Sequence, residues 1–561
     1  MGAKGTAQAT RCGDEEWVRR IGFAALQERL PLRWPAPADI PCCPKRRLRS
    51  AYVYPGWQRL AEAGAWQELS PFKRLLYLVD FAPLRPVLAQ LMGWRNDRGY
   101  RPYDPVSIFL LKLWQLSEGW NRNQVIRKMR QPEYGETVAA MGFSDHYPTE
   151  GGLRYIETRI GEQSEATGEV IEVQSEEGQW YGVAVQGLNE LIVQSVGLLQ
   201  QAGLIRETAW QEALVCPDGQ LHPAASRMKC ASVRAECYQP RPRRCAAREK
   251  GKRGCGCEEQ ACHPACRYAT PRDRQARFVW YSGTNQRPDN PNQAVEEPKG
   301  KGRRGKGVYG YRSLALQWCD RQQRFGLTLL ADYQAANLPE LPYATAQLLQ
   351  LLGYYPALRV KWVAGDAAFG VAPFLRVVRN ELRARRVVDL RAHDCDQDQT
   401  GWLLRGYDNR GRPLCPFGYG LKSNGYDAQQ RRQKWTCRQA CQKGLTPKVA
   451  VPQAVYPPPE CPYQQVASHH GLVVNVGERF GDGSMRLVRD LPVGSPTWKR
   501  CYHQGRNAAE ARNACQRAMG LKRMPVFGYE RGKTAIFLGD VWRNLSTLVR
   551  LIGEATLAGD G

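Results

Sequence analysis

Short apolar runs alternate with helical stretches between residues 309 and 391, and this alternation restricts the fold more than any other feature of the chain. The order is strand, strand, helix, strand, helix and strand, at 309–318, 325–331, 341–352, 358–365, 374–383 and 387–391. A hairpin followed by alternating helices and strands predicts an α/β fold with a mixed sheet.

Three acidic residues stand where such a fold presents functional side chains. Asp366 follows strand 358–365 in a glycine-flanked turn, and Asp218 follows the apolar run 213–216. Strand ends hold loop side chains rigidly, so both positions suit catalytic acids. The third acid is Glu510, within a predicted helix at 502–517. Arg506, Glu510 and Arg517 share one face of that helix, although Arg506 and Glu510 also suit an ordinary surface ion pair.

These segments resemble the DDE transposases of bacterial insertion sequences, over residues 70–555 approximately. The matching pieces are Asp218-Gly, the Gly-Asp-Ala-Ala-Phe-Gly around Asp366, and the Tyr-Arg-Glu-basic series Tyr502, Arg506, Glu510 and Arg517. Three residues separate Tyr502 from Arg506, whereas two separate the corresponding residues in many members of the family. Arg517 stands where many members of the family have lysine.

The resemblance implies a ribonuclease-H-like core that cuts DNA and joins the cut end to a target. Asp218, Asp366 and Glu510 would hold two Mg²⁺ ions about 4 Å apart, with Mn²⁺ as a substitute. Tyr502, Arg506 and Arg517 would contact DNA. The implied partners are double-stranded DNA, both the terminal inverted repeats of the element and the target, and a second copy of the chain as a homodimer on DNA.

Asp273 is an alternative to Asp218 as the first catalytic aspartate. It precedes the apolar run 278–281 and lies in Thr-Pro-Arg-Asp-Arg, where a turn or cap role is expected. Rigid support on both sides favours Asp218. That choice requires a long insertion between the first two strands of the core, and long surface loops close at small entropic cost.

A net charge of +26, from 80 Lys plus Arg against 54 Asp plus Glu, predicts a polyanionic partner such as nucleic acid. The alternative is a basic protein without such a partner. Asp104-Pro105 predicts the start of an apolar helix that ends at Gly119, and Asn121 or Asn123 caps a second helix. This pair suits a helix-turn-helix as well as a plain helical hairpin. The basic residues expected to face solvent and DNA are Arg122, Arg127, Lys128 and Arg130.

Nineteen cysteines in an intracellular chain predict reduced thiols and metal sites rather than disulfides. Residues 222–307 carry a net charge of +12 and seven cysteines that are candidate Zn²⁺ ligands: Cys230, Cys237, Cys245, Cys255, Cys257, Cys262 and Cys266. The basic residues expected to grip phosphates there are Arg243, Arg244, Lys250, Lys252 and Arg253. A second candidate Zn²⁺ quartet is Cys415, Cys437, Cys441 and Cys461. The alternative in both places is unliganded thiols.

Six segments describe the expected organisation. They are an irregular N-terminal segment at 1–70, a helical DNA-binding domain at 71–160, a helical connector at 161–205, the first part of the core at 206–392 with its insertion at 222–307, a second insertion at 393–490, and C-terminal core helices at 491–561. Glutamates 162–176 at a 3-4-3-4 spacing predict an acidic helix face in the connector, and 183–204 predicts a further helix.

No apolar signal sequence and no run of about 18 apolar residues is present, so we expect no membrane association and a bacterial cytoplasmic, nucleoid-associated protein. Two other functions remain open. One is a metal-dependent nuclease without strand transfer. The other is a zinc-bearing DNA-binding regulator in which the acids are structural.

Overall fold

A computed structural model gives the architecture. It describes residues 21–35, 48–62, 64–94, 101–174, 180–226, 273, 275–281, 306–320, 325–389, 406–407, 412–415, 418–437, 439, 473–477, 490–491 and 496–552. The fold is mixed α/β, with helices on both sides of a central sheet.

The described residues between 71 and 160 are mostly helical, as the sequence predicts, and two four-residue helices lie in the segment 1–70 that was expected to be irregular. The helices of this N-terminal part are α1 Phe23–Leu26, α2 Ala65–Glu68, α3 Pro71–Leu78, α4 Arg85–Leu91, α5 Pro105–Ser117, α6 Arg122–Lys128, α7 Gly135–Ala140 and α8 Glu150–Ala166. The short strands β1 Leu32–Arg33 and β2 Val79–Asp80 pair in parallel. Apolar side chains of this part belong to the same continuous core as the central sheet.

Helix α5 begins and ends where the sequence predicts. Asp104 caps it by accepting a hydrogen bond from Val106 N at 3.0 Å, and Pro105 occupies the first turn. Gly119 adopts a φ of +65° directly after the helix, which favours glycine. Asn121 then starts α6 with a capping box shared with Gln124, so Asn121 rather than Asn123 is the cap.

The predicted helical connector is partly wrong. Helix α8 ends at Ala166, and the strands β3 Glu169–Gln174 and β4 Trp180–Val185 pair antiparallel. Helix α9 Asn189–Gln201 and the short α10 Glu207–Gln211 follow. Gly168 interrupts the helical pattern, and the β-branched Val170, Ile171 and Val173 favour the extended conformation more than the glutamate spacing favours a helix.

The central sheet contains six described strands: β5 Ala213–Pro223, β6 Arg277–Tyr281, β7 Lys306–Asp320, β8 Phe325–Ala335, β9 Val360–Gly365 and β10 Arg385–Val388. The order is β10-β9-β5-β7-β6, with β8 also paired to β7. Strand β7 is antiparallel to its three neighbours, whereas β5, β9 and β10 run parallel. The predicted antiparallel strands and the alternating strands and helices after them are confirmed.

The sheet opens between β5 and β9 next to Asp218. Their parallel pairing ends at Val215 and Val363, whereas β5 continues beside β7 as far as Pro223. Pro217 lies two residues beyond the last β5–β9 pair and has no N–H to donate. The two parallel strands therefore separate where both are about to reach an aspartate.

Four helices enclose the sheet: α9, α11 Glu340–Tyr354, α13 Pro496–Ala518 and α14 Tyr529–Leu551. The short α12 Ala372–Arg376 continues as a π-helical turn, Val377–Glu381, before β10. Helix α13 packs through a seam of small and polar buried residues that includes Gly505, Ala509 and Arg512. A Cβ on Gly505 would lie 2.8 Å from Ala364 Cβ and 3.2 Å from Cys216 Cβ, so glycine permits this close approach.

A buried ion pair joins α13 to α14. Arg512 donates from Nε and Nη2 to the two carboxylate oxygens of Asp540, at 2.7 Å each, and both side chains are fully buried. Asp540 also accepts from Thr328 on β8 at 3.3 Å. Each of the two charges neutralises the other, and such pairing is the condition for burying a charge.

The described residues between 406 and 477 form small antiparallel sheets: β11 Gly406–Tyr407 with β12 Pro413–Leu414, and β13 Lys422–Asp427 with β14 Arg432–Thr436 and β15 Val473–Gly477. Their buried residues, among them Trp435 and Val476, join Leu214, Cys216 and Trp498 in a second apolar cluster. At the C-terminal end of this region the Asp490 carboxylate accepts from the fully buried Arg386 on β10, at 3.0 Å from Nε. No helix within the described ranges has the length and apolarity needed to cross a bilayer.

Replacing Asp540 with Asn should lower the free energy of unfolding by about 3–5 kcal/mol, because it leaves the Arg512 charge buried and uncompensated. Urea unfolding followed by tryptophan fluorescence measures this change. The control is Glu150→Gln, which removes the exposed Glu150–Arg154 pair on α8 and should cost less than about 0.5 kcal/mol. Equal effects of the two substitutions would contradict the anchoring role of Asp540.

Candidate active site

Asp218 and Asp366 lie at the opening between β5 and β9. Each stands three residues beyond the last paired residues of the two strands, Val215 and Val363. Asp218 is only 8% exposed and belongs to β5, which continues past it. Asp366 follows β9 and caps a single 3₁₀ turn, with Oδ1 accepting from Ala368 N at 2.9 Å. Sequence-distant acids are thus brought to one edge of the parallel strands.

Helix α13 covers Asp218 with two polar side chains. Arg506 forms a salt bridge from Nη1 to Asp218 Oδ1 at 2.5 Å, and Asn513 donates from Nδ2 to Oδ2 at 3.0 Å. Arg506 and Asn513 are seven residues apart and therefore lie on one face of the helix. The alternative pair of Arg506 with Glu510 is not formed, because Arg506 points to the sheet instead.

Glu340 is a further acid at this site. It begins α11, on the side of β5 where Gly219 lies, and a Cβ on Gly219 would come 2.5 Å from its carboxyl carbon. Arg312 on β7 lies 3.3 Å from Glu340 Oε1. Burial raises the pKa of Glu340 to about 7; Arg312 opposes the rise, and the charges of Asp366 and Asp218 add to it.

The site concentrates negative charge. Burial raises the pKa of Asp366, with Asp218 adding to the rise and Arg506 opposing it. The Cys216 thiol, two residues from Asp218 on the same strand, has its pKa raised by burial and by Asp218. Asp389 directly follows β10 and also raises the pKa of Asp366. A positive ion among these carboxyl groups would lower the free energy of their ionised forms.

Two of the other predicted residues of α13, Glu510 and Arg517, are exposed and make no described contact with these acids, whereas Tyr502 lies close enough for Asp389 and Asp366 to add to the rise in its pKa caused by burial. Glu510 is exposed one turn from Arg506, and within the described part of the chain its side chain has no hydrogen bond or ion pair. Arg517 is exposed near the end of the helix. Tyr502 is half-buried and stacks on Trp498, with ring centroids 4.4 Å apart. Among the described residues, no group of three or more His, Cys, Asp or Glu is arranged to hold a metal ion.

Asp273 has a structural environment away from Asp218. Its carboxylate accepts from Ser226 N at 3.0 Å and Ser226 Oγ at 2.7 Å, and from the backbone N of Gly528. Its carbonyl accepts from the Tyr309 hydroxyl at 2.6 Å, and the residue is fully buried. Asp273 therefore ties the loop before β6 to the start of α14.

One of the four basic residues predicted to face solvent, Arg122, is instead turned inward, with its side chain 11% exposed. Arg122 and Lys112 both pair with Glu157 of α8, and Glu157 is only 3% exposed. The prediction for Arg122 is wrong because a buried carboxylate requires neutralisation. Arg127 and Arg130 are exposed. Lys128 lies over the Tyr134 ring, with Nζ 5.0 Å from its centroid.

Two of the eleven candidate Zn²⁺ ligands are described. Cys415 Sγ accepts from Tyr419 N at 3.4 Å, and Cys437 Sγ accepts from Gln439 N at 3.3 Å. Cys441 and Cys461 lie outside the described residues. So do the cysteines from Cys230 to Cys266 and the basic residues Arg243, Arg244, Lys250, Lys252 and Arg253. His222, at the start of the first cysteine-rich segment, uses both ring nitrogens in hydrogen bonds to Leu521 O and Ser313 Oγ, at 2.8 Å each.

Sequence reasoning missed Glu340, Asn513 and Asp389. The signal for Asn513 was available, because it follows Arg506 by seven residues on the same helix face. Asp389 lies within the predicted strand 387–391, whereas the strand in the structure ends at Val388, so its strand-end position was not apparent from the sequence. The position of Glu340 beside Asp218 depends on how α11 crosses the sheet, which no local pattern specifies.

A scan against models of known protein families and a search of curated proteins each find no match to this chain.

Glu340→Gln should gain stability relative to the wild type as pH rises from 4 to 8. The native carboxyl has a pKa near 7 against an ordinary 4.5, so the wild type binds more protons folded than unfolded and loses stability through this window. The difference in unfolding free energy should grow by roughly 2–3 kcal/mol. Urea titrations at several pH values measure it.

Glu207→Gln, at the exposed start of α10, is the matched control and should leave the pH profile of unfolding unchanged. A Glu340→Gln difference that is constant from pH 4 to pH 8 would contradict the raised pKa.

Proposed function

We propose that this chain is a DNA transposase of the DDE type, which cuts phosphodiester bonds and transfers the cut strand through a ribonuclease-H-like core. The observation that carries the proposal is the placement of Asp218 and Asp366 side by side where β5 and β9 separate. A sheet of three antiparallel strands continued by two parallel strands, with an acid at the central strand and at the next strand's end, supports that fold.

The ion proposed for this site is Mg²⁺, chosen by the ligand type that its acids offer. Asp218, Asp366 and Glu340 offer carboxylate oxygens, the ligand type that Mg²⁺ prefers, and the pKa of Asp366 and of Glu340 is raised partly by the neighbouring acids. The Arg506 guanidinium already provides a positive charge at Asp218 Oδ1. When bound at Asp218 and Asp366, with Glu510 as the third proposed ligand, divalent metal ions would activate the attacking oxygen and stabilise the leaving oxygen.

Arg506 and Asn513 have separate tasks in this proposal. Asn513 holds the Asp218 carboxylate in one orientation, through an uncharged hydrogen bond that leaves its charge available. Arg506 neutralises Asp218 in the absence of DNA and turns to a phosphate when DNA is bound, since a guanidinium binds carboxylate and phosphate in the same forked manner. Arg517 and Tyr502, on the same helix, are proposed to contact the DNA ends.

The charge balance supports DNA as the substrate. The net charge is +26. Exposed Arg127 lies on α6 and exposed Arg130 lies two residues beyond its end, behind a cap and turn that suit a DNA-binding helix pair. Terminal inverted repeats and target DNA as partners, a homodimer on DNA and a cytoplasmic, nucleoid-associated location belong to the same proposal. Structural Zn²⁺ is included as well. Backbone N–H donors to the sulfurs of Cys415 and Cys437 suit thiolate ligands.

Asp218→Asn, Asp366→Asn and Glu510→Gln should each reduce Mg²⁺-dependent cleavage by at least about a hundredfold, because each removes a charged ligand of the reacting site. DNA affinity should stay within about twofold of the wild type, since none of the three is proposed to bind DNA. The assay uses a plasmid that carries the genomic DNA flanking the coding region, and it scores nicking and joining separately.

Asp145→Asn is the control, as it removes an exposed aspartate remote from the sheet opening. Asp273→Asn should lower stability and leave residual cleavage. Nicking without joining would favour a nuclease, and binding without cleavage by the wild type would favour a regulator. An Asp273 variant without cleavage beside an active Asp218 variant would overturn the assignment of Asp218.

Arg127→Gln combined with Arg130→Gln should weaken binding to duplex DNA and reduce the slope of log affinity against log salt by about 2, since two phosphate contacts are lost. Filter binding between 50 and 200 mM salt measures this slope. Arg29→Gln with Arg33→Gln removes two exposed charges elsewhere and should leave the slope unchanged. Equal slopes for the two double variants would contradict DNA binding by α6.

A further inference from the structure

A second polar cavity lies along another face of α13. It has a volume of about 590 Å³ and is bounded by α13, the second half of α14 and the β7–β8 end of the sheet. Asn507 and Ala511 line it, and at 100° per residue they are turned about a third of the circumference or more away from Arg506. The cavity therefore does not belong to the opening beside Asp218.

The lining of this cavity is basic. Four basic side chains line it, Arg500, His503, Arg543 and Arg550, together with the hydroxyls of Ser546 and Thr547 and the amides of Gln504 and Asn507. None of its lining residues within the described ranges is an aspartate or glutamate. A concave surface with one sign of charge concentrates ions of the opposite sign.

Arg543 is the buried member of this set, with 5% of its surface exposed. Its Nη1 donates to Gln317 Oε1 and Thr328 Oγ1, and its Nη2 donates to Ala508 O at 3.2 Å. These are uncharged acceptors, and within the described part of the chain no carboxylate oxygen lies within 4.0 Å of its guanidinium. Asp540, the acid that most affects it, is already paired with Arg512.

A buried guanidinium without a paired anion is energetically unfavourable. Burial lowers the pKa of Arg543 to about 10, in the direction expected for a desolvated cation. An anion in the cavity would offset the unfavourable desolvation, because the guanidinium carries five N–H donors and its protein partners account for three hydrogen bonds. The exposed Arg500 and Arg550 can then close on the same anion from the rim.

We infer that this cavity binds a phosphate group, with Arg543 at its base and Arg500, His503 and Arg550 around it. Arginine forks match the oxygens of phosphate, and hydroxyl and amide side chains are its usual additional donors. The volume is that of a small-molecule site and accommodates a pyrophosphate or a nucleotide phosphate. The phosphate can come from a free phosphorylated compound or from a DNA backbone that runs over α13.

The test compares two double variants of equal charge in the intact chain. Arg500→Gln with Arg550→Gln removes two cavity arginines, and both are exposed, so folding should be preserved. Lys499→Gln with Arg523→Gln removes two exposed charges that do not line the cavity. Each protein is titrated with sodium pyrophosphate by calorimetry and, separately, with a DNA duplex.

For the cavity variant we expect at least a tenfold loss of affinity for one of the two probes, against less than twofold for the control. Loss confined to pyrophosphate identifies a free phosphorylated ligand. Loss of duplex affinity beyond the control identifies the DNA backbone. If neither probe distinguishes the two double variants, the inference is overturned. None of the proposed catalytic acids lines the cavity, so this result is independent of the cleavage assays.

Discussion

The close packing of α13 on the junction of β5 and β9 is the constraint on which the candidate site depends. Gly505 is in contact with Ala364 and Cys216, and a methyl group at this position would overlap both neighbours. Since the helix axis is held this near to the sheet, Arg506 and Asn513 reach Asp218 directly. Gly505 therefore permits the contact between Arg506 and Asp218, two charged residues that are 288 positions apart in sequence.

Polar contacts inside the protein fix the same helix from its other sides. Arg512 pairs with Asp540 of α14, and Arg543 donates to the carbonyl of Ala508. Helix α14 is in turn held to α8 through Thr534, which donates to Glu157 O at 2.8 Å, and to β8 through Asn544. Because these groups are buried, each lost partner is costly, and the helices cannot slide independently of the sheet. The N-terminal helices thereby support the site without contributing to it.

The positive charge of Arg506 offsets part of the negative charge of the site. Asp218 forms a salt bridge with Arg506. Asp366 and Glu340 have raised pKa values, because burial and neighbouring acids oppose their ionisation. Such an arrangement stores unfavourable energy that a cation can release. Along another face of α13 the uncompensated charge is positive. There Arg543 is a buried cation without a paired carboxylate in the described part of the chain. One helix thus separates an acidic region from a basic one.

Local sequence patterns were sufficient for those elements in which all the local signals favour the same conformation. The strand and helix order from 309 to 388, the Asp104 cap and the strand-end position of Asp366 follow from alternation, capping chemistry and turn residues, whereas the choice of Asn121 over Asn123 as the second cap came from the structure. The pairing of β3 with β4 was missed because the glutamates of β3 also match a helical spacing, whereas pairing with a partner strand decides the conformation. The functional roles of the acids stay predictions.

The sequence by itself determined the α/β class, the basic character of the chain and the residue types at the ends of the strands. Only the tertiary structure decided which of these residues meet. Arg506 pairs with Asp218 rather than Glu510, Arg122 neutralises Glu157, and Glu340 lies beside Gly219. The physical reason is that burial of charge is settled by long-range partners, and a sequence window of one helix or strand contains only one member of each pair.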